Sequence, residues 1–187
     1  MVVMSVPLVK AILDHEEVVV SSKEEANMLY QSGYGTFRED KSSVLSHCEV
    51  LYLLIEGRVK VVEYSSGVEV SFNFLLNRFR DVDPEIWTKF LIFRDLRSRG
   101  YVVKDGFGWD IDFRVYERGT FLEKAAKYIV YAISEGVPVM MSRIGEVLRL
   151  THGMKRELIV AVVDRRGEIV YYSLEEFNLS VRSKSSE

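Results

Sequence analysis

Asp110 and Asp112 stand two residues apart in a stretch that alternates between apolar and polar types. Ile111, Phe113 and Val115 fall on one side, and Asp110, Asp112, Arg114 and Tyr116 on the other. A period of two is that of a β-strand, so the two carboxylates share one strand face. Paired carboxylates can hold Mg²⁺ for phosphodiester cleavage. A metal nuclease of this general shape adds a Glu-x-Lys on the following strand, and Tyr128 and Ile129 occupy that neighbourhood instead. The simpler reading is a strand edge with two solvated acids, and no metal is expected. Tyr116 closes the same polar face. A phenol there is either a general base or binding group, or a half-buried sheet tyrosine. A second cluster is basic. Arg149, His152 and Arg156 lie at i, i+3 and i+7, one face of a helix if the helix runs that far. Residues 143–166 carry six Lys/Arg against Glu146, Glu157 and Asp164. That excess suits a phosphate-binding face and equally suits a solvated one.

Composition removes other chemistries. Of 187 residues, one is cysteine (Cys48) and three are histidine, His15, His47 and His152. Neither a disulfide framework nor a cysteine zinc site can form within one chain, and the histidines lack metal-ligand spacing. Cys48 reads as a small buried hydrophobe. No apolar run approaches the roughly 20 residues that span a bilayer. Met1 to Leu13 carries a single Lys10 and no small-residue cleavage site, which predicts an intracellular, cytoplasmic protein with no membrane partner. Gln31 is the lone glutamine, and 15 Arg outnumber 10 Lys, a weak pointer to a thermophile.

The formal net charge is −3, and it divides unevenly. Residues 1–82 hold 8 basic and 12 acidic groups, net −4; residues 83–187 hold 17 and 16, net +1. The division falls at Asp81-Val82-Asp83-Pro84, where a proline often opens a helix. Two domains are therefore expected, 1–82 and 83–187.

The first half reads as a small α+β unit. Strands are predicted within 7–21, then a short helix capped by Ser22 with Glu24 and Glu25 in its first turn. Gly33-Tyr34-Gly35 ends that helix. A second helix is predicted over Ser43–Ile55, and strands over Arg58–Tyr64 and Val68–Phe74. In the second half, Ile86, Trp87, Phe90, Leu91 and Phe93 recur at helical spacing from Pro84 to Arg99, and Gly100 follows as the helix stop. Strands are predicted over Tyr101–Lys104, Asp110–Tyr116 and Lys127–Ile133. A helix capped by Ser142 then runs to about Gly153. Leu158–Val163 is a continuous apolar run, expected to be buried on both faces. The turn Asp164–Gly167 leads to a last strand, Glu168–Tyr172. Helix, two strands, strand, helix and two strands make a mixed sheet with packed helices, so the class is α+β or α/β.

Taken in order, these segments resemble a known family. The residues are Phe93-Arg94-Asp95-Leu96-Arg97, Gly100 to Lys104, and Gly108-Trp109-Asp110-Ile111-Asp112-Phe113-Arg114-Val115-Tyr116. They continue through Ala126-Lys127-Tyr128-Ile129-Val130, Leu148 to Leu158, Ala161-Val162-Val163-Asp164 and Ile169 to Tyr172. Together they resemble the tRNA-splicing endonucleases of archaea and eukaryotes. Gly33-Tyr34-Gly35 and Glu49 to Leu54 extend a looser likeness into the first half. The resemblance implies a restriction-endonuclease-like C-terminal domain and cofactor-free, metal-independent cleavage of pre-tRNA at intron boundaries. The ends left would be a 2′,3′-cyclic phosphate and a 5′-hydroxyl. The family employs a tyrosine as general base, a histidine as general acid and a lysine to steady the transition state.

Carried over by position, the tyrosine is Tyr116, the histidine falls on Ala125 and the lysine on Arg156. Arg156 can still hold a phosphate, but its guanidinium differs in shape from an ammonium and keeps its proton. The resemblance thus implies a structural subunit of a heterotetramer, paired with a catalytic paralogue. RNA-binding candidates are Arg149, Lys155 and Arg156. Interface candidates are Asp164, Glu168, Ile169 and Tyr171, since the family joins subunits through C-terminal strands and an acidic loop. Here that loop, Asp164-Arg165-Arg166-Gly167-Glu168, contains two arginines. The rival expectations are an active nuclease using Tyr116, His152 and Lys155, and an RNA-binding scaffold.

Overall fold

The computed structural model of the chain describes residues 8–107 and 111–176. Strands β1 (Val9–Asp14) and β2 (Glu17–Val20) form an antiparallel hairpin whose inward residues, Val9, Ala11, Leu13, Val18 and Val20, are fully buried. Helix α1 (Lys23–Gln31) starts at Ser22, whose hydroxyl accepts the Glu25 N–H. It ends at Gly33, which has φ +83°; a Cβ there would sit 2.5 Å from a Val102 methyl. A left-handed backbone and a close approach both demand glycine at that point. Short strands β3 (Thr36–Phe37) and β4 (Ser43–Leu45), helix α2 (His47–Ile55) and strand β5 (Val59–Glu63) complete the first sheet. Its order is β3-β4-β2-β1-β5, with β1 and β5 parallel.

Helices α3 (Phe72–Val82) and α4 (Ile86–Ser98) follow, then β6 (Val102–Asp105), β7 (Phe113–Tyr116), β8 (Tyr128–Ser134), α5 (Met141–Gly153), β9 (Glu157–Val163) and β10 (Ile169–Leu174). The second sheet runs β10-β9-β8-β7-β6, antiparallel except for β8 and β9, which α5 connects in parallel. Parallel neighbours need such a crossover. The described residues thus form an α+β structure of two mixed sheets and five helices.

One buried cluster runs through both halves. It includes Leu29, Leu51 and Val61 from the first, and Phe90, Phe93, Val103, Phe113 and Ala161 from the second. A smaller cluster of Ile111, Ile129, Val147 and Leu158 lies beneath α5. Polar clasps cross the same seam. The Lys104 ammonium donates to Glu49 Oε1 and to the Gly35 carbonyl, each at 2.7 Å, with both side chains buried. Glu49 Oε2 accepts the Gly35 and Ser46 N–H groups, so every strong group of this buried pair is satisfied. Arg97 of α4 donates to the Tyr34 hydroxyl and to the Ser32 carbonyl.

Several expectations need correction. Ser43–Leu45 is strand, and α2 begins only at His47, capped by Ser46 in a reciprocal box with Glu49. The segment Val68–Phe74 is not a strand: a single bridge, Val62 to Glu69, precedes α3. In α3, Phe72, Leu75, Leu76 and Phe79 repeat with helical spacing, and that pattern overrides the alternation before it. Helix α5 starts after Met140 with no side-chain cap, not at Ser142. The run Leu158–Val163 is buried on both faces as expected, with Leu158 and Val160 on one and Ala161 and Val163 on the other.

Candidate functional site

Chain register brings the expected residues to one end of the second sheet. Val115 of β7 pairs with Tyr128 of β8, which pairs with Glu157 of β9. One residue further out on each strand lie Tyr116, Lys127 and Arg156. Backbone bonds hold this outer row: Lys127 N–H to Val115 O at 3.0 Å, and Glu157 N–H to Lys127 O at 3.1 Å. Adjacent strands are about 4.8 Å apart. By alternation the row shares a face with Ile129 and Leu158, the face covered by α5.

Arg156 is delivered to this row by the end of α5. The helix stops at Gly153, and Lys155 takes a left-handed conformation, φ +56°. The Lys155 N–H then bonds the His152 carbonyl, and the Arg156 N–H the Thr151 carbonyl. This is the Schellman pattern, with lysine where glycine usually stands. Arg156 therefore lies off the helix, so Arg149, His152 and Arg156 do not form one helical face. Arg149, His152 and Lys155 are exposed and Arg156 is half-buried.

Tyr116 is half-buried, with the ring of Phe121 edge-on at 5.0 Å. Phe121 also meets Tyr30 of α1 at 5.7 Å, tying the 117–127 turn to the first half. Ala125 lies exposed in that turn, two residues before Lys127. Its methyl group neither donates nor accepts a proton. Lys127 pairs with Glu117 at 2.9 Å and Glu157 at 3.8 Å. The Tyr128 hydroxyl and the Glu117 carboxylate hold its ammonium above the ordinary lysine range. Sequence reasoning did not single out Lys127 or Phe121, because cross-strand register and packing between the halves select them.

The paired-acid idea does not survive for Asp112. Asp110 lies outside the described residues. Asp112 is not solvated: its side chain is only 13% exposed. It accepts the Ala132 N–H at 2.7 Å and meets the Lys89 ammonium at 3.2 Å. Burial raises its carboxyl above the usual range, against the Ala132 N–H and Lys89. Asp112 thus ties β8 to α4. A cavity of about 590 Å³ lies beside it, lined by Glu85, Lys89, Asp112, Ala132 and Met140. Tyr116, Ala125 and Arg156 do not line it. Among the described residues, no group of three or more acidic, His or Cys side chains is placed to hold a metal ion.

The expected interface residues sit on the far side of the sheet. Asp164 is spent within its own turn, since its Oδ1 accepts both the Arg166 and Glu168 N–H groups at 2.8 Å. Arg165, Arg166 and Glu168 are exposed. Tyr171 donates its hydroxyl to Asp95 of α4 at 2.7 Å, and Ile169 packs against the main core. On the edge strand β10, Val170 and Tyr172 are the exposed apolar residues. No described helix is long and apolar enough to cross a membrane.

Comparison with known proteins decides the family. The chain is 34% identical over 166 residues to a tRNA-splicing endonuclease of Methanococcus vannielii, spanning 89% of this chain and 93% of that one. The chain belongs to the tRNA-splicing endonuclease family. Residues 86–171 match the family's model described as tRNA intron endonuclease, catalytic C-terminal domain, and residues 9–76 match its N-terminal domain. The tRNA-splicing endonucleases of Pyrococcus horikoshii and Methanothermobacter thermautotrophicus are 32% and 33% identical. They cover 84% and 86% of this chain and 90% and 92% of their own lengths. The sheet end with Tyr116, Lys127 and Arg156 lies within the part of the chain that matches the catalytic C-terminal domain.

Proposed function

We propose that this chain is the structural subunit of a heterotetrameric tRNA-splicing endonuclease, two copies joined with two of a catalytic paralogue. The assembly cleaves pre-tRNA at intron boundaries without metal, leaving 2′,3′-cyclic phosphate and 5′-hydroxyl ends. The observation that carries this reading is Ala125. It is exposed, beside the row of Tyr116 and Arg156, and holds no acid for the leaving 5′-oxygen. Loss of a general acid costs about 10²–10⁴-fold in rate. Arg156 in the lysine's position keeps the positive charge but replaces a compact ammonium with a planar fork. The domains 1–82 and 83–187 are then an N-terminal α+β half and an endonuclease-like half, the second carrying the subunit contacts. Exposed Val170 and Tyr172 on β10, beside Ile169 and Tyr171, suit pairing with a partner's strand. The relatives' source organisms, Pyrococcus horikoshii and Methanothermobacter thermautotrophicus among them, support an archaeal, heat-adapted setting.

The test is reconstitution. The purified chain is offered pre-tRNA carrying a bulge-helix-bulge, alone and with a paralogue that has tyrosine, histidine and lysine at the three positions. Cleavage is expected only in the mixture, with the two chains in equal amounts. Cleavage by this chain alone overturns the reading. A second reading, an active nuclease using Tyr116, His152 and Lys155, draws on the exposed His152 near Arg156. It requires cleavage by the chain alone that His152→Ala abolishes.

A further inference from the structure

Arg156 opens onto a cavity of about 270 Å³, whose lining includes His152, Glu157, Leu158, Glu175 and Glu176. The acids come from the end of β10, and register explains their position. Ser173 pairs with Ile159 and Leu174 with Leu158 in the antiparallel ladder. Continuing that register places Glu175 beside Glu157 and Glu176 beside Arg156. Directly opposed residues share a face of the sheet. By that register Glu176 shares a face of the sheet with Arg156, while Glu157 and Glu175 fall on the other face; all four line the cavity at the sheet end, whose formal charge is −2 with His152 neutral. Lys127, next along the row, is matched by Glu117 and Glu157. Neither cation is left to a phosphate without competition.

We propose that Glu175 and Glu176 close this sheet end to RNA, occupying with their carboxylates the field that a backbone phosphate would need from Arg156. The two glutamates are determinants of this chain's RNA affinity at this position. Two negative charges within about 6 Å of a phosphate site, in a solvent-rich setting, weaken phosphate binding about tenfold. This inference rests on the structural-subunit reading only in taking Arg156 as the residue at the family's phosphate-facing position.

The experiment is fluorescence anisotropy with a labelled bulge-helix-bulge RNA and the full chain alone, over a series of salt concentrations. Four proteins are compared: wild type, Glu175→Gln/Glu176→Gln, Arg156→Gln, and the triple variant. The exposed glutamates accept amide replacement without disturbing the core. The double variant is expected to bind about tenfold tighter, with a salt slope steeper by about one. The triple variant is expected to return to the affinity of Arg156→Gln. Equal affinity of wild type and the double variant overturns the proposal. So does a gain that persists without Arg156, which would be a general charge effect. Absence of binding by the double variant overturns it as well. Binding by the chain alone is read separately from cleavage in the mixture, so failure here leaves the subunit assignment to its own test.

Discussion

Tyr171 shows what a single half-buried hydroxyl commits a protein to. Its O–H points at Asp95, which also receives Arg99 at 2.8 Å. Burial, then the Asp95 hydrogen bond and charge, push the phenol far above its ordinary value. The folded chain therefore keeps a proton that the unfolded chain releases near pH 10. The sign follows: the contribution is complete below about pH 10 and is lost as pH rises from there toward the folded value. Between about pH 9.5 and 11.5 the urea midpoint of wild type is expected to fall more steeply than that of Tyr171→Phe; parallel curves would refute the assignment. The sequence marked Tyr171 as an interface residue, and pattern alone could not have paired it with Asp95, 76 positions away. Ala125 is the opposite case. That this residue has no proton to donate is legible from the chain, whatever surrounds it.

At the scale of elements, the end of α5 is the sharpest example. Lys155 stands where the backbone turns left-handed, at a steric cost of about 1 kcal/mol relative to glycine. Lys155→Gly is expected to raise unfolding stability by about that amount, measured by urea titration, while keeping Arg156 in place. A loss of stability would mean that the lysine side chain offsets the strain through contacts of its own. The sequence placed the end of this helix at about Gly153, which is its last residue. The two hydrogen bonds of the reversal then show how Arg156 leaves the helical face. Helix α3 was misread. Val68 and Val70 alternate like a strand, while Leu75 and Phe79 bury one helical face against the core. Which periodicity wins is a packing outcome. Capped helices were more legible, as with Ser22 before α1, since a cap is a local bond between near neighbours.

Across the whole molecule, Lys104 and Glu49 hold the two halves together. Removing one partner of such a buried pair leaves an uncompensated charge, at a cost of about 3–5 kcal/mol. Lys104→Met should lower stability by that order, and Lys104→Met/Glu49→Gln should recover part of it; equilibrium urea unfolding reads both. A loss below about 1 kcal/mol for Lys104→Met would show that the clasp is not holding the seam. Charge and a proline pointed to a boundary at residue 82. The interlock across it was not readable, because Glu49 and Lys104 are 55 residues apart and each alone looks like a surface residue. By itself the sequence determined the family, the succession of strands and helices in the second half, and that residue 125 is an alanine with no proton to donate. Those properties reside in residue types and short-range periodicity. The tertiary structure alone decided that Tyr116, Lys127 and Arg156 form one row, that Asp112 ties β8 to α4, and that Glu176 and Arg156 line one cavity. These depend on strand register and burial, which arise only when distant segments of the chain are brought into contact.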